Sequence, residues 1–476
     1  MSQRGGPASG RGAALVVLLL VLAAGVAGAV IPAGAGSSSG AESRLRLATP
    51  LLSVRRVPEA LVGLRAEARL VTAVEKVADD PALAPWAAQS CLVVQVGSRT
   101  LYARRPDQPF IPASALKLLT AEAAIAVLGP DTRLATVFKA DAPLAGGVVA
   151  GDLQVIGGGD PIIATDAFAA RSPRQPVVRT RAEDVAQAVV AAGVRQVTGG
   201  IRADESRYDT ERARPGWKPS FQATNQVAPL SALLVDDGQN AAGRPVAQPA
   251  LHFAQVLTDQ LKALGVQVGG GPSVGPATGK VTVATKESLP VRDLVSQMVR
   301  ESDNTTAELL LKEMGRTAGG AGTTAAGLAA AKAVLRDKGL AVGPLSAQDG
   351  SGLDRADRAT CSLLLAALVG AGRASQLAEG LPVAGVSGTL QKRFVNTPVV
   401  GRLRAKTGTL DEVSSLVGWV DPARAGAGPP VAFAVVVNGV PTTLDATRLS
   451  ERLGVALAGW PDAPPADAVD PEPPVG

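Results

Sequence analysis

Histidine is almost missing from this 476-residue sequence: His252 is the single copy. That leaves one candidate base for a Ser-His-Asp triad, in a Pro/Ala-rich stretch where a structural role fits better. Cysteine is nearly as scarce. Cys91 and Cys361 are too few for a cysteine-based metal cluster or a disulfide-rich scaffold. Two states stay open for them: one bridge, if the chain is exported, or two buried thiols. A phosphate loop is absent too, since Gly279-Lys280 is followed by Val281 and Val274 stands where the first glycine of G-x-x-x-x-G-K-[ST] should be. Nor do the charges gather. The 47 Lys and Arg against 42 Asp and Glu give a net charge of +5, scattered along the chain, so no nucleic-acid partner is expected. No metal or cofactor is expected either.

What is present begins with an apolar run, AALVVLLLVLAAGVAGAVI at 13–31, behind Arg4 and Arg11 and ahead of a Gly/Ser stretch from Ala33 to Gly40. Residues 1–31 therefore read as an export signal. Ala27-Gly28-Ala29 offers a cleavage site, while the run is also long enough to stay as a membrane anchor. An extracytoplasmic protein of the cell envelope is expected, secreted or anchored, with a linker over 32–60. A hydrophobic content of 46% supplies a large core, and the length suggests more than one domain.

Residues 91–104 (CLVVQVGSRTLYAR) read as two short strands about Gly97-Ser98. Next, Leu116, Leu119, Ala123 and Val127 recur at helical spacing up to Gly129-Pro130, which puts Ser114 in the first turn of a helix with a buried face. The composition then shifts to Gly, Pro and Val. Within 141–285, DVAQAVVAAGVRQVTGG and HFAQVLTDQLKALGVQVGGG share a helix, a Gly-Val turn and a short strand, which suggests a weakly duplicated, inserted α/β domain. GGGDP at 157–161 reads as a tight turn. Helices return after 286, two of them flanking Ser302-Asp303-Asn304, with further ones over AGLAAAKAVLRDKG and Ala356 to Val369. RLRAKTGTL, SSLVGWVD and PVAFAVVVNG read as neighbouring strands, followed by a helix over LSERLGVALAGW and a Pro/Asp-rich tail, 461–476, expected to be disordered. The fold class is α/β (α+β): one sheet flanked by helices, built from 61–140 and 286–460 and interrupted by a smaller domain.

Three motifs carry chemistry: Ser114-Ala115-Leu116-Lys117, Ser302-Asp303-Asn304 and Lys406-Thr407-Gly408. Each is the single match to its pattern, S-x-x-K, S-x-N and K-[ST]-G. Residues three apart share a helix face, so the Lys117 amine can reach the Ser114 hydroxyl and take its proton. That needs a neutral lysine, which burial and the nearby cation Lys406 would both favour. A helix N-terminus at Ser114 would add N–H groups where negative charge develops. Ser302 would relay a proton to the leaving amine, and Asn304 would orient Lys117 and the substrate amide, while Asp303 points elsewhere. An N-cap role for this segment is compatible with both. On the strand, Gly408 leaves room for an extended peptide, and the Thr409 N–H with that of Ser114 makes an oxyanion hole. Lys406 and the hydroxyls of Thr407 and Thr409 would hold a terminal carboxylate.

S-x-x-K, S-D-N and K-T-G together are the signature of class A β-lactamases and penicillin-binding proteins. From Cys91 to Trp460 the sequence resembles one family in particular, the class C low-molecular-mass penicillin-binding proteins. The likeness rests on PASALKLLTAEAAIAVLG, LQVIGGGDP, PGWKP, ESDNTTAELLLKEMG, DGSGLDR, LPVAGVSGTLQKRF and RAKTGTLDEVSSLVGWV. It implies a serine-type D-Ala-D-Ala carboxypeptidase or endopeptidase with a transpeptidase-like, β-lactamase-like catalytic domain. It also implies peptidoglycan stem peptides as substrate, and β-lactam antibiotics as covalent inhibitors through an acyl-enzyme on Ser114. The DGSGLDR loop is expected to line the cleft rim as structure. Two other readings share the motifs. A β-lactamase needs an efficient deacylating base, and the long insertion before Ser302 argues against it; a non-catalytic wall-binding scaffold is hard to square with a complete set of reacting side chains.

Overall fold

The computed structural model describes residues 57–81, 88–173, 175–424, 426–439 and 442–461. The export segment 1–31, most of the linker and the tail past Pro461 lie outside them. Among the described residues, no helix is long and apolar enough to cross a membrane.

The first sheet is antiparallel throughout. Its strands run in the order Leu403–Leu410, Val413–Val420, Val431–Asn438, Ser90–Val96, Arg99–Arg104. Strand Val431–Asn438 is buried along its whole length, as an apolar run rather than an alternating one requires. The pleat sends alternate side chains to two cores. Cys91, Val93, Ala432, Ala434 and Val436 join a helical core built around Lys117–Leu128, Val291–Glu301, Asn304–Gly319 and Cys361–Ala371. Leu92, Val94, Phe433, Val435 and Val437 face the other way, onto helices Val57–Ala78 and Thr443–Leu457. Each Val, Leu or Phe among them contributes about 1.5–3 kcal/mol on full burial. Helix Cys361–Ala371 lies against the Cys91 face of the sheet, and helix 117–128 packs onto it within the helical layer.

Cys91 and Cys361 are joined, with Cα atoms 5.9 Å apart, tying the fourth strand of this sheet to helix Cys361–Ala371. That helix starts later than its apolar pattern suggests. Thr360 caps it by accepting from the Leu363 N–H, and the preceding residues are spent on bridges, Ala359 to Phe110 and Arg358 to Ser346.

A second sheet has the order Ser273–Val274, Ile201–Asp204, Leu153–Ile156, Arg133–Ala140, Val281–Pro290. Its first and last long strands, 133–140 and 281–290, pair antiparallel with each other, so the chain leaves and re-enters the helical layer side by side. The two similar stretches lie as neighbours: Gln196–Val197 and Gln267–Val268 pair in parallel, as do 201–204 and 273–274, each set following its own helix, Ala182–Ala191 and Pro249–Ala263. Phe138, Val155, Val185, Ile201 and Phe253 fill the core between them.

GGGDP is more than a turn. A Cβ on Gly157 would lie 2.5 Å from the Ala232 carbonyl oxygen, and one on Gly158 would lie 2.4 Å from that of Ala135, so two passing backbones close over these glycines.

Candidate active site

The three sequence motifs meet at the edge of the first sheet. Ser114 lies in a 3-10 turn, Ala113–Leu116, and the α-helix proper begins at Lys117. The expected helical first turn is displaced because the chain is clamped before it can coil. Asn438 accepts from the Ile111 N–H at 2.9 Å and donates to the Ile111 carbonyl at 3.1 Å; Ser415 Oγ donates to the Pro112 carbonyl at 2.7 Å. Ala113 is left at φ 47°, a left-handed conformation that the clamp holds in place.

Lys117 is fully buried, with Nζ 2.9 Å from Ser114 Oγ, 2.5 Å from Asn304 Oδ1 and 2.6 Å from the Ser351 carbonyl oxygen. A neutral amine has two N–H groups and one lone pair. Asn304 and Ser351 offer acceptors for the two hydrogens, which leaves the lone pair facing the serine hydroxyl. The pKa agrees: burial lowers Lys117 to about 8, against the carboxylates of Asp349, Glu308, Asp303 and Asp357, which pull it upward. Desolvation is the largest of the causes.

Ser302 ends helix 291–301 in a left-handed conformation, and Asp303 turns away to cap helix 304–319 by accepting from the Thr306 N–H at 3.0 Å. Asn304 is fixed from behind, donating to the Gln226 carbonyl at 2.7 Å. Lys406 Nζ reaches Ser302 Oγ at 2.8 Å and the Thr407 carbonyl at 2.7 Å. The Thr407 hydroxyl is 2.8 Å from that of Thr389, while Thr409 is exposed at the mouth. Gly408 has a tighter reason to be glycine than room for substrate: its Cβ position faces Ser415 and the Pro112–Ser114 backbone.

Two contributors escaped sequence reasoning. Thr389 sits in the GVSGTL stretch, which has no chemical signature of its own. The DGSGLDR loop, read as a structural rim, instead supplies the Ser351 carbonyl that holds Lys117. Buried carboxylates shape it: Glu308 accepts from the Gly350 and Ser351 N–H groups at 3.0 and 2.8 Å, and Asp349 accepts from Gly352 at 2.6 Å and from the Trp217 indole at 2.8 Å. Burial, aided by the Asp349 charge, raises Glu308 to about 8 and Asp357 to about 10. His252 is elsewhere, on helix 249–263 with Nε2 3.1 Å from the Gln239 carbonyl oxygen.

An antiparallel sheet, a buried helix carrying S-x-x-K beside it and an edge strand carrying K-T-G define the penicillin-binding and β-lactamase-like fold. The crystal structure of penicillin binding protein 4 from Haemophilus influenzae superposes with a TM-score of 0.66 at 20% identity, over 80% of this chain and 98% of that one. Residues 70–244 and 239–458 match the D-Ala-D-Ala carboxypeptidase 3 (S13) family, and the chain belongs to this family of serine-type peptidases. It is 28% identical to a D-alanyl-D-alanine carboxypeptidase of Actinomadura sp. (strain R39), over 84% of this chain and 88% of the relative. It is 30% identical to carboxypeptidase DacB of Mycolicibacterium smegmatis, over 70% of this chain and 73% of the relative.

Proposed function

We propose that this D-Ala-D-Ala carboxypeptidase cuts peptidoglycan stem peptides through an acyl-enzyme on Ser114, with Lys117 as the base. The observation that carries the reading is the buried Lys117 amine, 2.9 Å from Ser114 Oγ with its pKa brought down to about 8. The amine takes the hydroxyl proton as Ser114 Oγ attacks the carbonyl carbon of the penultimate D-alanine. The Ser114 and Thr409 N–H groups receive the oxyanion. Ser302, 2.8 Å from Lys406 Nζ, passes a proton to the departing amine, whose neighbouring carboxylate is met by Lys406, Thr407 and Thr409. Water then hydrolyses the ester. Asn304 positions Lys117, and Gly408 lets the strand lie against the nucleophile's turn.

A β-lactam places its strained amide where the peptide would lie and acylates the same serine. The second sheet and its helices, 141–285, are read as a domain inserted into the catalytic one, 61–140 and 286–460. Peptidoglycan lies outside the cytoplasmic membrane, so the enzyme acts in the cell envelope; the apolar N-terminal run is read as the signal or anchor that takes it there. The test is a fluorescent penicillin on the wild type and on Ser114→Ala, with mass analysis of a stem pentapeptide. The reading expects a stable label and loss of one D-alanine in the wild type alone; a labelled or active Ser114→Ala would overturn it.

A further inference from the structure

The PGWKP segment, 215–219, belongs to none of the three motifs, yet its tryptophan reaches the support of the base. Trp217 is buried in an apolar cluster with Tyr208, Phe221, Leu309 and Leu353. Its indole N–H donates to Asp349 Oδ2 at 2.8 Å. The segment is pinned on both sides of the ring. A Cβ on Gly216 would lie 2.0 Å from Asp354 Oδ2, Arg214 donates to the Gln348 carbonyl at 3.1 Å, and Lys218 pairs with Asp411, just past the K-T-G strand. The indole therefore enters the DGSGLDR loop from a fixed position.

Asp349 organises that loop. Its Oδ1 accepts from the Ser351 and Gly352 N–H groups at 3.1 and 2.6 Å, and its Oδ2 accepts from the Asp354 N–H at 2.8 Å as well as from the indole. Four donors on two oxygens suit a carboxylate, which only accepts. Three of them belong to the turn that presents the Ser351 carbonyl to Lys117 Nζ. The other charged groups around the base have partners of their own. Glu308 accepts from the Gly350 and Ser351 N–H groups, and Lys312, one turn further along that helix, pairs with Asp209. Asp303 caps its helix, Asp354 accepts from the Ala356 N–H, and Asp357 accepts from the Gln348 N–H. Lys406 bonds Ser302 and the Thr407 carbonyl, and the exposed Lys332 donates to the Leu345 carbonyl. Burial raises Glu308 and Asp357 to about 8 and 10, so both hold their protons at neutral pH. Asp349 pulls the Lys117 amine upward more than Glu308, Asp303 or Asp357 does.

We infer that Trp217 is a positioning residue for the base: its N–H keeps the Asp349 charge beside Lys117 and, through the turn bound to Asp349, keeps the Ser351 carbonyl on the amine. The inference rests on the acyl-enzyme reading above and adds to it a residue that acts through another side chain. Removing the indole N–H takes from Asp349 one of the four bonds that favour its charged form. Asp349 then takes up a proton more readily, and a cation on Lys117 loses the partner that favours it most. The amine becomes neutral at lower pH.

The test is the pH dependence of penicillin acylation in full-length Trp217→Phe and Phe221→Leu beside the wild type. In Trp217→Phe the midpoint of the rise should move to lower pH by roughly half a unit or more, as loss of one charge-favouring bond implies. Phe221→Leu loosens the same apolar cluster and leaves the indole bond, so its midpoint should stay at the wild-type value. A slower Trp217→Phe with an unmoved midpoint overturns the inference, since loosened packing alone gives that result. A midpoint that moves as far in Phe221→Leu overturns it too. The wild type decides where a variant fails to fold. With its tryptophan indoles isotope-labelled, one N–H resonance should shift with the same midpoint as the acylation rate; four indole resonances that all stay still across that pH range overturn the inference. A wild-type acylation rate that does not rise with pH would instead mark failure of the underlying reading.

Discussion

A methyl group added at Gly408 would stand 2.9 Å from the Ser114 amide nitrogen, so the K-T-G strand and the nucleophile's turn are in backbone contact. The same methyl would meet Ser415 Oγ at 2.2 Å and the Pro112 carbonyl oxygen at 2.8 Å. Residues 294 positions apart (408 − 114) are thereby locked together, and the two N–H groups assigned to the oxyanion hole come from this one contact.

Gly408→Ala should therefore act on both stability and chemistry. Forcing a methyl into this contact is expected to cost about 1–3 kcal/mol of stability. Acylation should fall by roughly a hundredfold, the loss that follows when an oxyanion donor moves. Penicillin labelling kinetics and thermal unfolding check the two separately; a variant with normal acylation would show that the contact does not place the donors.

Lys117→Arg keeps a long cation on the same turn but removes the base, since guanidinium does not lose its proton near neutral pH. The rate of acylation should drop by about 10²–10⁴. The result to look for is a slow variant whose remaining label still maps to Ser114.

Asp357→Asn isolates the buried carboxyls beneath the site. Asp357 is raised to about 10 from an ordinary 3.8, chiefly by burial and then by Asp349. The folded state therefore binds this proton more tightly than the unfolded one. Its stabilising contribution is complete below the unfolded value and is lost as pH climbs toward the folded one, at a slope of at most about 1.4 kcal/mol per pH unit. Asparagine can still accept from the Gln348 N–H, 2.7 Å away in the wild type, but does not titrate. Melting curves from neutral pH to pH 9 should fall less for the variant; parallel curves would contradict this account.

The sequence disclosed the reacting groups more fully than their supports. S-x-x-K, S-D-N and K-T-G are short, ordered and rare in combination, and the strands that carry or border them are apolar runs between turn residues. The hairpin at 90–104 and the strands from 403 to 438 are accordingly where the pattern puts them. Local pattern did not reveal the 3-10 turn at Ser114, because its cause, Asn438 and Ser415 gripping the backbone ahead of the helix, is hundreds of residues away. Ser351 escaped because it acts through its main-chain carbonyl, which every residue possesses. Glu308 escaped because it looks like an ordinary polar position on an amphipathic helix, yet it is fully buried. The cysteines could be read either way until the fold set their Cα atoms 5.9 Å apart.

The most direct measurement is the rate of penicillin acylation at Ser114 as a function of pH, from about 6 to 10, with the labelled residue identified by peptide mapping. Since burial brings Lys117 to about 8 and the neutral amine is the active form, the rate should rise with pH and level off above that value. Well below it, the slope should approach tenfold per pH unit. A rate that is flat across the range, or one that falls as pH rises toward 8, would contradict a neutral Lys117 as the base.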